Sequence, residues 1–472
     1  MVFSKCPTGE DNNCNMIRFF RYSIVLTLAI LASCQQILEP KPVDLLVDDL
    51  VLNEPNDVQP VRIGLYNAFR SMGASTMIAG DFTADYIQAN GTFNDYIQFG
   101  TKRITSTNGV VDVLWNNLFS TIYVANFILE RLPNVSGVKD DVRKQVLAEA
   151  RFMRGWANFI GAYTYGDIPK VTTTDNQTNT QIARTAKADI LASVLADYQA
   201  ALTDLPDVTS ASTNATTNAT YLNKVNCRAA MARFYLYQKN WAQAEALATQ
   251  VISSGVYTLL TNYSDVITKD FTAESVLEVG YSLSDDPGTS ATGLNNLLVG
   301  RREVIPSNQL VAALISTEAG TRSQTITFNA QQQRASDNGW TVRKYGTASE
   351  DNNNIVYMRL AELYLIRAEA RAQQGKLTGA TGAVADLNVL RTRAKAPAIT
   401  LTAQADILLA VERERVYELA FEGQRWYDLV RTGRAQAVMS AFSPNWDSHY
   451  ELWPIPQRET QLNTALTQNP GY

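Results

Sequence analysis

Aromatic rings, amides and carboxylates crowd one stretch of this 472-residue chain. Asp85 and Tyr86 are followed closely by Asn90, Gly91, Phe93, Asn94, Asp95, Tyr96 and Phe99. Such a mixture suits sugar chemistry. Pyranose rings offer apolar C–H faces to aromatic rings, and their hydroxyls need Asn, Asp or Arg partners. Tyr86, Phe93, Asn94, Tyr96 and Phe99 are therefore the leading candidate contacts, in what reads as a loop-like stretch. Tyr281, Arg301, Trp340 and Tyr345 are candidates from farther along. Taken singly, each of these aromatics is also explained by packing. Covalent chemistry has little to draw on. The chain has one histidine, His449, which leaves His-based triads and zinc sites poorly supplied. It shows no Gly-x-Ser-x-Gly elbow, Walker loop, Gly-x-Gly-x-x-Gly or Cys-x-x-Cys. Two acids can converge from distant positions for glycoside hydrolysis, but nothing singles out Asp85, Asp95, Asp285 or Asp286. No catalytic residue, metal or cofactor is expected.

Glu418 and Glu422 lie one helical turn apart and repel each other unless a cation sits between them. A carboxylate metal site would need Glu-x-x-His partners, which are missing. Arg413, Arg415 or Arg425 is the expected neutralising partner. Arg425, Asp428 and Arg431 succeed one another at three-residue steps, the spacing of helix-surface ion pairs. The 46 acidic residues against 41 basic ones give a net charge of −5. Nucleic acid demands a basic face, so it is not an expected partner.

One cysteine has a reactive context. Arg18 and Arg21 precede the apolar run Tyr22–Ala32, too short for a permanent membrane span and ending in small residues, which is the layout of a secretory signal peptide. Leu31-Ala32-Ser33-Cys34 resembles the bacterial lipobox, where the thiol forms a thioether to diacylglycerol and the cysteine becomes the mature N-terminus. Met16 is the expected start, since residues 1–15 are polar and do not fit a signal. Stable anchoring takes several acyl chains, and lipid on Cys34 would be the sole anchor. Cys227 then remains as the only thiol, so the fold must rest on its core rather than on disulfides. Roughly 440 residues are enough to bury one.

The elements that would position these residues are helical. Val146, Ala150, Met153, Ala157 and Ile160 recur at four- and three-residue steps, predicting an amphipathic helix over Val142–Tyr165. Pro133 and Gly137 punctuate its start, and Gly166-Asp167-Ile168-Pro169 stops it. Ala232, Ala244, Ala248 and Val251 share their offsets with Ala368, Ala380, Val384 and Leu387. In each set a breaker separates two helices, Gln238-Lys239-Asn240 and Gln374-Gly375-Lys376. Small residues so placed let antiparallel helices approach closely, as in tetratricopeptide (TPR) repeats. The Thr/Asn-rich stretches 172–185 and 208–221 read as solvated loops. Helical periodicity weakens from about Gly255 to Asn354, where β-prone runs such as Ser275–Tyr281 suggest irregular structure.

Five blocks in order then resemble the SusD/RagB family of lipoproteins. They are Trp115–Asn126 with Leu129-Glu130; Glu149–Arg154 with Tyr165–Pro169; Arg359–Ala370 with Leu387–Ala394; Glu412–Arg431; and Pro454-Ile-Pro456 with Gln468–Tyr472. The resemblance implies a mainly α fold, a TPR-like helical-repeat scaffold carrying an irregular, loop-rich lobe. It divides the chain into a signal peptide (1–33), a lipid-anchored tether (34–57), an N-terminal helical region (58–254), a loop-rich region (255–354) and a C-terminal helical region (355–472). It further implies residence on the outer membrane facing the exterior, and a SusC-like TonB-dependent transporter as partner. The implied ligand is a glycan, with oligopeptide as the alternative and a TPR-type protein adaptor as a third reading.

Overall fold

A computed structural model of the chain describes residues 51–209, 215–281, 293–346 and 353–472. Cys34 and the Asp285-Asp286 pair lie outside these residues. Helix α1 (Val58–Met77) leads through strand β1 (Ile87–Ala89) to the short helix α2 (Asn94–Thr101). Helix α3 (Gly109–Arg131) starts where the Asn108 side chain accepts the Val110 N–H at 2.9 Å, a standard N-cap. Helix α4 (Asp140–Tyr165) carries Asp140 and Asp141 in its first turn, where the helix dipole favours negative charge. Val146, Ala150, Met153, Ala157 and Ile160 are all buried on it. Gly166 ends it at φ +79°, and a Cβ there would meet the Leu452 side chain at 2.9 Å.

Strands β2 (Ile168–Pro169) and β3 (Arg184–Thr185) pair antiparallel beyond α4. Helices α5 (Lys187–Asp204), α6 (Ala215–Thr220), α7 (Lys224–Tyr237) and α8 (Trp241–Ser253) follow. Each long helix packs on its neighbour: α1 on α3, α3 on α4, α4 on α5, α5 on α7, and α7 on α8. The chain between α8 and helix α9 (Leu360–Gln373) forms mainly short elements. Among them are β4 (Ser275–Val279), β5 (Val304–Pro306), β6 (Ile326–Phe328), β7 (Trp340–Val342) and β8 (Ile355–Arg359). They pair antiparallel, β1 with β5, β4 with β8 and β6 with β7. Despite the intervening chain, α8 packs directly against α9. Helices α10 (Ala383–Arg393) and α11 (Gln404–Glu418) complete the stack on α9. Helix α12 (Arg425–Arg431) follows. The protein is thus mainly α, a succession of packed helices with a short-element region inserted between the two alanine-rich hairpins.

The hairpin alignment needs one correction. Ala232, Ala244, Ala248, Val251, Ala368 and Leu387 are fully buried and Val384 nearly so, but Ala380 is exposed in a turn. Gly375 and Gly379 both adopt positive φ, which lengthens the connection and delays α10 until Ala383. Ala383 takes the buried position. The 208–221 stretch is not all solvated loop either. Ala215–Thr220 is helical, with Asn218 and Ala219 buried, because the Asn218 carbonyl accepts from Asn223 and from the Tyr257 hydroxyl. The Cys227 thiol is buried, and burial pushes its pKa up to about 12, which makes it unreactive.

Charged residues of the C-terminal blocks form a buried lattice. The cation between Glu418 and Glu422 is Arg359, rather than Arg413, Arg415 or Arg425. Its guanidinium reaches Glu418 at 2.5 Å, Glu422 at 2.9 Å and Glu274 at 2.7 Å. Lys344 also binds Glu422, at 2.6 Å. Arg425 turns away from Asp428 and binds both carboxylate oxygens of Asp85, at 2.9 and 3.0 Å. Asp428 pairs with Arg431 at 2.8 Å, as the spacing predicts, and with Arg415 at 2.5 Å. All three are buried rather than at the surface, because α12 is covered on the side that carries them. The N-terminal amides of this block serve the same lattice. Asp81 accepts from the N–H groups of Gly423, Gln424 and Arg425. A Cβ on Gly80 would lie 1.9 Å from the Gly423 carbonyl, so this approach requires glycine.

Candidate functional site

Phe93 is the N-cap of α2, and the chain that presents it is clamped from below. Pairing of β1 with β5 brings Glu303 under residues 90–93. The Glu303 carbonyl accepts from the Asn90 and Gly91 N–H groups at 2.9 Å. Its carboxylate accepts from Thr92 at 2.8 Å and Phe93 at 3.0 Å. Gly91 has no room for a side chain, since a Cβ would fall 1.9 Å from that carboxylate. Arg301 pairs with Glu303 at 2.9 Å and lays its guanidinium 4.2 Å from the Phe93 ring centroid, a cation–π contact. Burial opposes charge on Glu303, but hydrogen bonds from Phe93 and Arg301 outweigh it and hold the carboxyl below its ordinary range. The clamp stays anionic at neutral pH, and Phe93 is held in one orientation.

A cavity of about 580 Å³ opens beside this clamp. Phe93, Asn94, Asp95 and Tyr96 form one wall, and the C-terminal end of α1, at Ser71, Ala74 and Ser75, forms another with the adjoining Ile78. Helix α3 adds Val110, Val113 and Asn117. Val113 is half exposed, at 50%, giving the wall an open apolar patch. Asn117 donates to the Ser71 carbonyl at 2.8 Å, and Asp95 accepts from the Gly109 N–H at 3.2 Å. The arrangement offers an aromatic and aliphatic surface edged by amide, hydroxyl and carboxylate groups. It can hold a polyhydroxylated ring by stacking and hydrogen bonding.

The other candidates lie as follows. Asn94–Thr101 is a helix rather than a loop, so Tyr96 and Phe99, three apart, share its inward face. Tyr96 is 4% exposed, its ring tilted against Phe93 at 6.4 Å. Phe99 is fully buried against Trp453 at 5.3 Å and cannot stack on a ligand without leaving the core. Tyr86 is 2% exposed beneath Phe421 and borders a different cavity, of about 400 Å³, with Arg425 and Glu412. Tyr281 rests on Arg70, whose guanidinium lies 5.1 Å from its ring. Trp340 pairs across the β6–β7 ribbon with Phe328, 5.3 Å away. Tyr345 is buried, donating to the Phe421 carbonyl. The structure therefore gathers Phe93, Asn94, Tyr96 and Arg301, and leaves Tyr86, Phe99, Tyr281 and Trp340 out of the walls of this cavity. Sequence reasoning missed Val113 and Asn117. Their signal was a four-residue step on the Trp115 helix, with an apolar residue on an otherwise polar face.

Two family models match the chain. One, described as "Starch-binding associating with outer membrane", covers residues 44–236, and the other, the SusD family, covers 315–472. The chain belongs to the SusD/RagB family. SusD-like protein P38 of Formosa agariphila is 23% identical over 96% of this chain and 98% of that protein. The "Starch-binding protein SusD" of Bacteroides thetaiotaomicron is 35% identical over a shorter stretch, 26% of this chain and 23% of that one. A solved "Laminarin binding SusD-like protein" superposes with a TM-score of 0.71 at 23% identity, over 89% of this chain and 100% of that one. At that identity the match establishes the SusD fold. The SusD-type signature residues Arg359, Glu418, Glu422, Arg425 and Asp428 belong to the buried lattice, and none lines the Phe93 cavity.

Proposed function

We propose that this SusD-family protein is an outer-membrane lipoprotein, anchored through Cys34 and facing the cell exterior. In this reading it binds oligosaccharide or polysaccharide and passes it to a SusC-like TonB-dependent transporter, changing no covalent bond. The observation that carries the reading is the cavity beside Phe93, where a braced aromatic ring and Val113 face the polar groups of Asn94, Asp95 and Asn117. A sugar's C–H face lies on Phe93 and Val113 while its hydroxyls exchange hydrogen bonds with the amides and the carboxylate. Bracing by Arg301 and Glu303 reduces the ordering cost of binding. The starch-binding and laminarin-binding descriptions of its relatives support a glycan as ligand. The outer-membrane description of the matching family supports the location.

Phe93→Ala is expected to weaken oligosaccharide affinity at least tenfold, about 1.4 kcal/mol, with an unchanged thermal midpoint because the ring is only partly buried. A glycan array followed by calorimetry measures this. Binding of peptides with no glycan bound would replace the reading with the oligopeptide one. Release of new reducing ends from a bound glycan would end the non-catalytic assignment.

A further inference from the structure

A third cavity, of about 310 Å³, opens near the other end of α1. Its walls include Arg62 of α1, Gln145 of α4, and Asn218, Tyr221 and Asn223 from the α6–α7 segment. Tyr221 is 46% exposed, yet it is braced from within the fold. Tyr66 meets it edge-on at 5.7 Å, and the Arg62 guanidinium lies 5.4 Å from its centroid. Arg62 is itself fixed by two hydrogen bonds to Glu149, at 2.6 and 2.7 Å. Asn218 is 4% exposed, and its Nδ2 has no hydrogen-bond partner among the described residues. A buried amide left so keeps its desolvation cost uncompensated, and a ligand oxygen reaching it would recover that cost. Asn223, by contrast, spends its side-chain oxygen on capping α7. A braced, open aromatic ring beside side-chain amides repeats, with different residues, the chemistry of the Phe93 cavity.

We propose that this cavity is a second carbohydrate site, with a pyranose ring on Tyr221 and a ring or hydroxyl oxygen accepting from Asn218. The proposal rests on the carbohydrate reading above but uses none of the same side chains. Arg62 and Ser75, one from each cavity, are thirteen residues apart on α1. That spacing is roughly 20 Å along the axis and about 140° around it. The two sites therefore open on different sides of the helix, and one short oligosaccharide does not fill both. Their combined use is on polysaccharide, where two engaged segments raise retention by avidity.

Saturation-transfer NMR with maltohexaose and, separately, laminarihexaose tests this on the intact protein. With a hexamer that binds, Phe93→Ala is expected to leave a fraction of the signal. Adding Tyr221→Ala lowers that fraction, and adding Tyr221→Phe instead restores it. Complete loss of signal in Phe93→Ala, or equal signal in the Phe93→Ala and Phe93→Ala/Tyr221→Ala proteins, overturns the second site and leaves the first intact. Absence of signal from the wild-type protein with both hexamers overturns the carbohydrate reading and this proposal together. Unchanged thermal midpoints separate loss of binding from loss of fold.

Discussion

Arg359 touches three carboxylates, and its side chain is 2% exposed. Buried charges are tolerated only when paired, and removing one partner strands the rest. Arg359→Gln is expected to lower unfolding free energy by about 3–5 kcal/mol, read from urea midpoints. Arg322 and Arg393 also pair with Glu418, and Lys344 with Glu422, so a change below about 1 kcal/mol would mean that these three suffice without it. Glu278 shows the opposite electrostatics. Burial is the main influence on it, and Asp270 adds to the effect. Hydrogen bonds from Ser275, Phe271 and Asn354 only partly compensate, and its pKa rises from 4.5 to about 7. The folded chain therefore holds this proton more tightly than the unfolded chain does. Its contribution to stability falls as pH rises from about 4.5 to about 7, then levels off. Asp81, also raised to about 7 by burial, acts with the same sign. Glu278→Gln is expected to flatten the decline in urea midpoint between pH 5 and 7. Parallel curves for the two proteins would contradict it. The residue types were plain in the sequence, but the partners were not. Glu418 and Arg359 are 59 residues apart, and helical spacing proposes only neighbours.

At the scale of elements, alanine spacing found both helical hairpins and misplaced one residue. Ala248 sits where α8 meets its neighbours with no exposed surface, whereas Ala380 lies in the turn before α10. Ala248→Leu is expected to destabilise by about 1–3 kcal/mol through overpacking, and Ala380→Leu to stay within about 0.5 kcal/mol. Equal effects in thermal unfolding would restore the repeat alignment as written. The same logic explains α2. Read as a loop, Phe93 to Phe99 offered every aromatic to a ligand. As a helix it divides them by face, and Tyr96 and Phe99 turn inward. Periodicity is hard to see in eight residues, where a few aromatics dominate the pattern.

The whole molecule joins segments far apart in sequence. The Trp453 N–H donates to the Thr164 carbonyl at 2.8 Å, and Asn469 Nδ2 donates to the carbonyls of Tyr165 and Trp453. The last signature block thus seals the exit of α4. The proposed lipid on Cys34 acts on the whole molecule as well. Cys34→Ser is expected to move the protein from the membrane fraction to the soluble one and to remove the acyl mass from the mature N-terminus. An unchanged distribution would refute the anchor. The sequence by itself determined the helical class, the buried stripe and the stop of α4, and the family, because these depend on local spacing and on ordered motifs. It also showed a scarcity of catalytic groups. Only the tertiary structure decided which arginine neutralises Glu418, which aromatics stay open, and that Val113 and Asn117 face Phe93. Burial and ion pairing are set by contacts between elements, and no local pattern encodes which face of a short helix the rest of the chain will cover.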